Sequence, residues 1–166
     1  MDTQKLILIS DTHCYDQLTL PRALLEAIGN CDQIIHAGDI TSLEAYETLR
    51  TLAPLTAVRG NTDAPSLQAA LPELATLEVL GHHIAVAHGW GPPSGLIKRI
   101  SARFDPAPFD LFVFGHSHYP EITGHGNCLF VNPGSPVDRR YAPYISYAQV
   151  EITQEGIGTP EIIRLE

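Results

Sequence analysis

The chain has 166 residues, a length that predicts a single domain, residues 1–166, with a core that needs no disulfides. Hydrophobic residues make up 44% of the chain and charged residues 17%, which excludes a disordered protein. A formal net charge of −9 argues against nonspecific binding to nucleic acid or to an anionic membrane, because both need a basic surface.

The cysteines and the first residues bear on the compartment. The three cysteines are scattered and include no Cys-x-x-Cys pair, so neither a disulfide framework nor a zinc knuckle is predicted. Residues 1–4 lack the basic region of a signal peptide, and the apolar run at 6–9 is too short for an export signal or a membrane span. We therefore expect a cytoplasmic protein with no membrane partner.

The first half of the chain alternates between short apolar runs and helical patterns. The predicted elements are, in chain order, a strand at 5–10, a helix at 21–28, a strand at 33–36, a helix ending near residue 52 and a strand at 55–59. Thr41 and Glu44 have the spacing of a capping box, which predicts the start of the second helix. This β-α-β-α-β order predicts a parallel sheet covered by helices.

The second half is expected to be mainly antiparallel. The predicted elements are a hairpin of 75–80 and 83–88, a helix at 95–104, a central strand at 111–114, a hairpin of 121–123 and 128–131, and closing strands at 144–152 and 157–165. No internal repeat or linker divides the chain, which agrees with one domain.

Potential metal ligands lie at or just after the ends of five predicted strands. They are carboxylate, amide and imidazole side chains: Asp11, His13, Asp39, Asn61, His88, His116 and His118. In open α/β sheets ligands bind beyond the carboxyl ends of the strands, so these seven side chains are expected to converge on one rim. Each fragment alone is common in turns, and it is the complete set that predicts a metal site.

The number of ligands indicates two ions. Seven protein ligands are too many for one transition metal that keeps an open position, whereas they suit two ions that share a carboxylate. We assign Asp39 as the shared ligand. The first ion is assigned to Asp11, His13, Asp39 and His118, and the second to Asp39, Asn61, His88 and His116. Oxygen and imidazole donors without thiolate favour manganese, iron, zinc or nickel over Cu(I) or calcium, and affinity order alone does not choose among them. We expect two divalent ions per chain, with manganese as the first choice and magnesium as a further alternative.

The same residues carry a family resemblance. Asp11-Thr12-His13, Gly38-Asp39, Gly60-Asn61, His88-Gly89 and Gly115-His116-Ser117-His118 resemble the five blocks of the calcineurin-like metallophosphoesterase superfamily. Asn132-Pro133-Gly134-Ser135 resembles its small prokaryotic phosphodiesterase branch. The resemblance implies an α/β fold in which two mixed sheets form a four-layer α/β/β/α sandwich. It also implies a dinuclear centre that hydrolyses phosphodiesters through a bridging hydroxide.

Within that resemblance, Asp39, Asn61 and His88 are the expected catalytic residues, and Asn61 also binds the substrate. Many family members have a histidine directly after the Gly-Asn block, where it assists the leaving group, but this chain has Thr62 and then Asp63. A threonine cannot supply a proton at neutral pH as an imidazolium can. We therefore expect small phosphodiesters whose leaving group departs easily, such as aryl esters. Asp63 could replace the acid only if its pKa were raised.

Two other functions stay open. A phosphomonoesterase would use the same seven residues, whereas a non-catalytic binding scaffold, as in the retromer subunit of this fold, would be free to lose them. All seven are retained, which favours an enzyme.

Two possible roles remain open for each of several neighbouring residues. Arg59, Arg139 and Arg140 either meet a substrate phosphate or lie on the surface. Trp90 either forms a wall of the site or packs. His36 is either a strand residue or orients a ligand. A homo-oligomer is compatible with the family resemblance.

Overall fold

The computed structural model describes residues 1–166, which form eleven strands and four helices. The elements of the first half are β1 (Thr3–Ile9), α1 (Arg22–Ile28), β2 (Gln33–His36), α2 (Leu43–Leu52), β3 (Leu55–Ala57) and α3 (Pro65–Ala70). Those of the second half are β4 (Leu74–Val79), β5 (His82–Ala87), α4 (Leu96–Arg103), β6 (Leu111–Val113), β7 (Glu121–His125), β8 (Cys128–Asn132), β9 (Ser146–Thr153), β10 (Gly156–Ile157) and β11 (Glu161–Arg164).

The strands form two mixed sheets. The first has the order β10-β9-β1-β2-β3, with β11 also paired to β9. In it β1, β2 and β3 are parallel, as predicted, and β9 runs antiparallel to β1. The second sheet has the order β4-β5-β6-β8-β7, with β5, β6 and β8 parallel and β6 in the centre.

Alternating residues of β1 show how the layers are built. Leu6 and Leu8 belong to the core that the two sheets share, whereas Ile7 and Ile9 belong to the core between the first sheet and the helices. This alternation follows from the two-residue period of a strand. All four side chains are fully buried, and each contributes about 1.5–3 kcal/mol to stability.

The helices cover the outer faces of both sheets. Leu24 of α1 and Leu49 of α2 pack on the first sheet. Ile100 of α4 packs with Phe112 and Phe130 on the outer face of the second sheet. The predicted four-layer α/β/β/α sandwich is thus confirmed.

Two local predictions were wrong, and one helix was not predicted. Helix α2 is capped by Ser42, whose hydroxyl accepts a hydrogen bond from the Ala45 N–H at 3.2 Å, and not by Thr41. Thr41 is buried with a φ of 88° and belongs to a loop of the site described below. Helix α3 was not predicted, because its six residues carry too little periodicity. The final strand divides into β10 and β11 around Gly158-Thr159-Pro160.

The site lies where the sheet order places strand ends together. β1, β2 and β3 are adjacent and parallel in the first sheet, and β5 and β6 are adjacent and parallel in the second. Each of these five strands is followed by at least one predicted ligand. None of the four helices combines the length and the apolarity that crossing a bilayer requires.

Candidate metal centre

The loops after the strands hold their side chains through unusual backbone conformations. Five of the seven predicted ligands have positive φ angles: 56° at Asp11, 40° at His13, 59° at Asp39, 74° at His116 and 61° at His118. A non-glycine residue in this region costs about 1–3 kcal/mol, and such residues cluster at functional sites. The strain turns each side chain sharply towards the edge of the sheets.

Glycines in the same loops allow the side chains to approach the backbone. A Cβ atom at Gly38 would lie 2.7 Å from Nδ1 of His88, and one at Gly60 would overlap the carboxylate of Asp39. The glycines of the Gly-Asp and Gly-Asn pairs therefore do more than permit a turn, because they leave space for the side chains of the predicted ligands.

The first group of converging side chains is Asp11, His13 and His118. The Nε2 atoms of the two histidines lie 3.0 Å apart. The Oδ1 atom of Asp11 is 3.8 Å from Nε2 of His13 and 3.6 Å from Nε2 of His118. Three donor atoms from two separate loops thus meet at one point.

The second group lies beside the first. The Oδ2 atom of Asp39 is 3.2 Å from Nε2 of His88. The Oδ1 atom of Asn61 is 3.0 Å from the same Nε2 and 3.2 Å from Nδ1 of His116. All seven predicted side chains are therefore brought together at one edge, although their role as ligands stays a prediction.

Two carboxylates lie between the groups. Asp39 Oδ2 is also 3.5 Å from Nε2 of His13, so this oxygen faces one histidine of each predicted ion. Asp11 Oδ1 in turn lies 3.8 Å from Nε2 of His88. Both acids thus lie within 4 Å of histidines from both groups.

Backbone carbonyls orient three of the imidazoles. Nδ1 of His88 lies 2.8 Å from the Ala37 carbonyl, and Nδ1 of His118 lies 2.6 Å from the Asp138 carbonyl. Because a carbonyl only accepts, each Nδ1 carries a hydrogen and each Nε2 is directed into the site. His116 is reversed, since its Nε2 bonds the Gly91 carbonyl at 2.9 Å and its Nδ1 points inwards.

A buried carboxylate oxygen without a hydrogen-bond donor indicates which kind of ligand the cluster fits. Asp11 Oδ2 accepts hydrogen bonds from the Ser10 hydroxyl at 2.7 Å and from the His116 N–H at 3.0 Å. Asp11 Oδ1 is buried and has no hydrogen-bond donor. A buried carboxylate oxygen without a donor is costly, and here it faces imidazole nitrogens, which are metal ligands. The donor set therefore fits a divalent cation.

Electrostatics within the cluster are strongly coupled. Burial alone would lower the pKa of His88, but the carboxylates of Asp11 and Asp39 outweigh it and raise that pKa to about 9. Burial opposes ionisation of Asp39, yet the hydrogen bond and charge of His88 hold its pKa well below the usual value. In the metal-free protein a proton on His88 thus compensates part of the acidic charge.

The Asn132-Pro133-Gly134-Ser135 block supports the ligand loops. The Asn132 amide donates to the Gly115 carbonyl at 3.1 Å and to the Ser117 hydroxyl at 2.9 Å. The Ser135 hydroxyl donates to the Asp11 carbonyl at 2.7 Å. The sequence suggested this block only by resemblance, because its partners lie far away in the chain.

His36 is a supporting residue beneath the site. Burial lowers its pKa to about 3, so the imidazole is neutral. Its Nδ1 accepts from the Gly38 N–H at 3.1 Å, so its Nε2 donates to the Thr12 hydroxyl at 3.0 Å. His36 thereby joins the loop of Asp39 to the loop of Asp11, which agrees with the orienting role that the sequence left open.

Asp63 is also structural. Its two carboxylate oxygens accept from the N–H groups of Thr41 and Gly60, each at 2.6 Å. Burial raises its pKa, but both oxygens are bound to backbone. Arg139 and Arg140 are exposed, and only the Arg140 guanidinium lies near a predicted ligand, 3.5 Å from the His116 carbonyl.

Comparison with known proteins agrees with this geometry. The family model of the calcineurin-like phosphoesterase superfamily domain matches residues 5–155. A probable metallophosphoesterase from Methanocaldococcus jannaschii is 38% identical over 130 residues, which are 77% of this chain and 66% of that protein. The chain thus spans slightly less than two thirds of that relative.

Two solved structures share the fold. Vacuolar Protein Sorting 29 from Cryptosporidium parvum has a TM-score of 0.75 and 20% identity, with 97% of this chain and 96% of that chain covered. An archaeal protein described as a novel phosphodiesterase has a TM-score of 0.71 and 20% identity, with 96% and 99% covered. At this identity the likeness shows the fold alone. Because the family model matches residues 5–155, most of the chain, the chain belongs to the calcineurin-like phosphoesterase superfamily.

Proposed function

We propose that the chain is a metal-dependent phosphodiesterase whose seven converging side chains hold two divalent ions, with manganese favoured. The observation that carries this proposal is the buried Oδ1 of Asp11, which has no hydrogen-bond donor and faces the Nε2 atoms of His13, His88 and His118 at 3.6–3.8 Å. When bound, the ions supply Lewis-acid charge and a water that ionises near neutral pH.

The residues of the chain have distinct tasks in this proposal. Asp39 is the shared ligand, because its Oδ2 faces His13 and His88 at 3.5 and 3.2 Å. Asp11, His13 and His118 complete one ion site, while Asn61, His88 and His116 complete the other. The Ala37 carbonyl fixes the ring of His88 through Nδ1, so its Nε2 stays directed at the centre.

Asn61 is also the proposed substrate-binding residue. Its Oδ1 faces His88 and His116. The Nδ2 group of this exposed side chain is thereby left to donate a hydrogen bond to a phosphoryl oxygen. Such a donor, fixed before the substrate arrives, stabilises charge that develops on phosphorus oxygens in the transition state.

The preference for a good leaving group rests on positions 62 and 63. Thr62 donates its N–H to Asp39 Oδ1 at 2.9 Å, and its hydroxyl lies 3.4 Å from Nδ1 of His13. Asp63 is occupied by backbone N–H groups. Neither side chain is placed to protonate a leaving oxygen. General-acid help is worth about 10²–10⁴-fold, so esters with acidic leaving groups are favoured.

Hydrolysis of bis(p-nitrophenyl) phosphate by metal-stripped protein tests the proposal. We expect activity that appears with added Mn²⁺, exceeds that on p-nitrophenyl phosphate, and is lost on chelation. Activity mainly on the monoester would replace the diesterase with the phosphomonoesterase. No activity with any of Mn²⁺, Fe²⁺, Zn²⁺, Ni²⁺ or Mg²⁺ would contradict the proposal and favour a non-catalytic scaffold.

A further inference from the structure

A cleft with a volume of about 210 Å³ adjoins the proposed metal centre. Two predicted ligands, Asn61 and His88, line this cleft, together with residues that include Arg59, Glu73, Trp90 and Phe104. We call it the Trp90 cleft. Pockets for drug-sized ligands measure about 300–1,000 Å³, so this cleft suits a smaller group, such as one aromatic ring or a small fused ring.

Part of the wall of the Trp90 cleft is aromatic. The rings of Trp90 and Phe104 pack edge to face with their centroids 6.3 Å apart. Trp90 is nevertheless 37% exposed, although the guanidinium of Arg103 lies over one side of its ring. An exposed aromatic ring at the rim of a charged site is suited to stack against a planar group.

One positively charged side chain of the cleft has no ion-pair partner. Arg103 lies 5.9 Å from the centroid of the Trp90 ring and pairs with Glu73 at 2.7 Å. Glu73 is therefore neutralised by a partner. Arg59 is half-buried and has no carboxylate partner, and its Nη1 group donates to the carbonyls of Gln68 and Leu71 at 3.4 and 3.3 Å. Its Nη2 group remains available to an acceptor.

The loop that carries Trp90 is held from two sides. The guanidinium of Arg99 donates to the Trp90 carbonyl at 2.9 Å, to the Ser94 carbonyl at 2.8 Å and to the Pro92 carbonyl. On the other side, the Gly91 carbonyl bonds the ring of His116. The position of Trp90 is thus set before a ligand arrives, which lowers the entropic cost of binding.

We propose that the Trp90 cleft binds an aromatic ester group of the substrate, with Trp90 stacking on its ring and Arg59 facing an acceptor substituent. This inference rests on the proposed function, because the phosphoryl group would lie at the adjoining centre. It makes Trp90 and Arg59 specificity-determining residues, and it selects aryl or heteroaryl phosphodiesters over alkyl ones.

Binding of two phosphonates tests the inference without turnover. Phenylphosphonate and methylphosphonate present the same anionic group, but only the first has a ring. Trp90 is the single tryptophan of the chain, so its fluorescence reports on the cleft directly. With zinc-loaded protein, titration calorimetry should give about ten-fold or more tighter binding of phenylphosphonate, the effect of one stacked ring. Only phenylphosphonate should change the fluorescence strongly.

Variants identify the residue responsible. Trp90→Ala should remove the preference for phenylphosphonate and leave the affinity for methylphosphonate unchanged, while Trp90→Phe should retain most of the preference. Tyr141→Ala removes an aromatic ring that is 92% exposed and does not line the cleft, so it should change neither affinity. Equal affinities in the wild type, a preference that survives Trp90→Ala, or failure of both phosphonates to bind would overturn the inference.

These experiments distinguish a failure of the cleft proposal from a failure of the phosphodiesterase proposal. A phenyl preference without hydrolysis of bis(p-nitrophenyl) phosphate would support the cleft and contradict the phosphodiesterase. Metal-dependent hydrolysis with the same kcat/KM in wild type and Trp90→Ala would support the phosphodiesterase and overturn the cleft.

Discussion

His13 and His118 lie 105 residues apart in the chain, yet their Nε2 atoms face each other at 3.0 Å. Nδ1 of His118 is bound to the Asp138 carbonyl, which directs its Nε2 at His13. Two imidazole nitrogens with a buried carboxylate oxygen beside them attract a cation. The strained loops of the fold thus bring together side chains that are stabilised most when they bind a metal ion.

Asp39→Asn tests the shared ligand. Loss of the charge that faces both His13 and His88 should weaken binding of both ions and reduce turnover to near zero. The metal-free variant should still fold, because the amide can keep the hydrogen bond from the Thr62 N–H. It should lose the part of the stability that the charge of Asp39 gives to protonated His88. Metal titration measures both affinities, and the exposed Asp2→Asn is the control. Two ions bound at wild-type affinity would show that Asp39 is not shared.

Metal binding should depend on pH through His88. Its pKa of about 9 means that the metal-free protein carries a proton there at pH 7, and an ion must displace it. The affinity should therefore rise about ten-fold per pH unit between pH 7 and 9. Calorimetry in buffers of different ionisation enthalpy counts the protons released. Exposed His83→Gln should leave the slope unchanged, and a flat profile would refute the assignment.

The same pKa has a consequence for the stability of the metal-free protein. The folded value of about 9 lies above the unfolded value of 6.5, so the stabilisation is complete below pH 6.5 and is lost as the pH rises through 9. Urea unfolding of metal-free protein should show this decline, and His88→Gln should flatten it. A wild-type stability that increases over this range would be inconsistent with a protonated His88.

Asp63→Ala separates structure from catalysis. The change removes the acceptor for the buried N–H groups of Thr41 and Gly60, each bound at 2.6 Å. Leaving such groups unpaired costs about 1–3 kcal/mol each, so the free energy of unfolding should fall by about 2–6 kcal/mol. Asp63→Asn, which keeps an acceptor, should lose less. Should Asp63→Ala unfold like the wild type and lose turnover only, Asp63 would be the acid after all.

Thr62→His should add the missing acid. Thr62 lies in the half-buried loop beside His13, where its hydroxyl is 3.4 Å from Nδ1. An imidazolium at this position should raise hydrolysis of alkyl phosphodiesters by about 10²-fold, while esters of p-nitrophenol should change little. The dependence of rate on leaving-group pKa measures the difference. An equal change for both classes would argue against a leaving-group role.

Much of the centre could be predicted because the parallel strands place their carboxyl ends at one edge. Asp11, Asp39 and Asn61 follow β1, β2 and β3, so sequence order and strand adjacency sufficed to bring them together. The supporting contacts could not be predicted. Ser135 reaches the Asp11 carbonyl across 124 residues, and no local pattern encodes that distance.

The Trp90 cleft could not be predicted for the same reason. Arg59, Trp90 and Phe104 lie in the segments that follow β3, β5 and α4, and only packing brings them together. The wrong cap at Thr41 has a different origin. The N–H group of Thr41 donates a hydrogen bond to the Asp63 carboxylate, and this tertiary contact outweighs the local preference of Thr41 for a helix cap.

Elemental analysis of the purified protein, together with anomalous scattering from crystals soaked in Mn²⁺, counts the bound ions and locates them. We expect two ions per chain, one among Asp11, His13 and His118 and one among Asn61, His88 and His116, with Asp39 contacting both. A single ion, or none at saturating Mn²⁺, would contradict it.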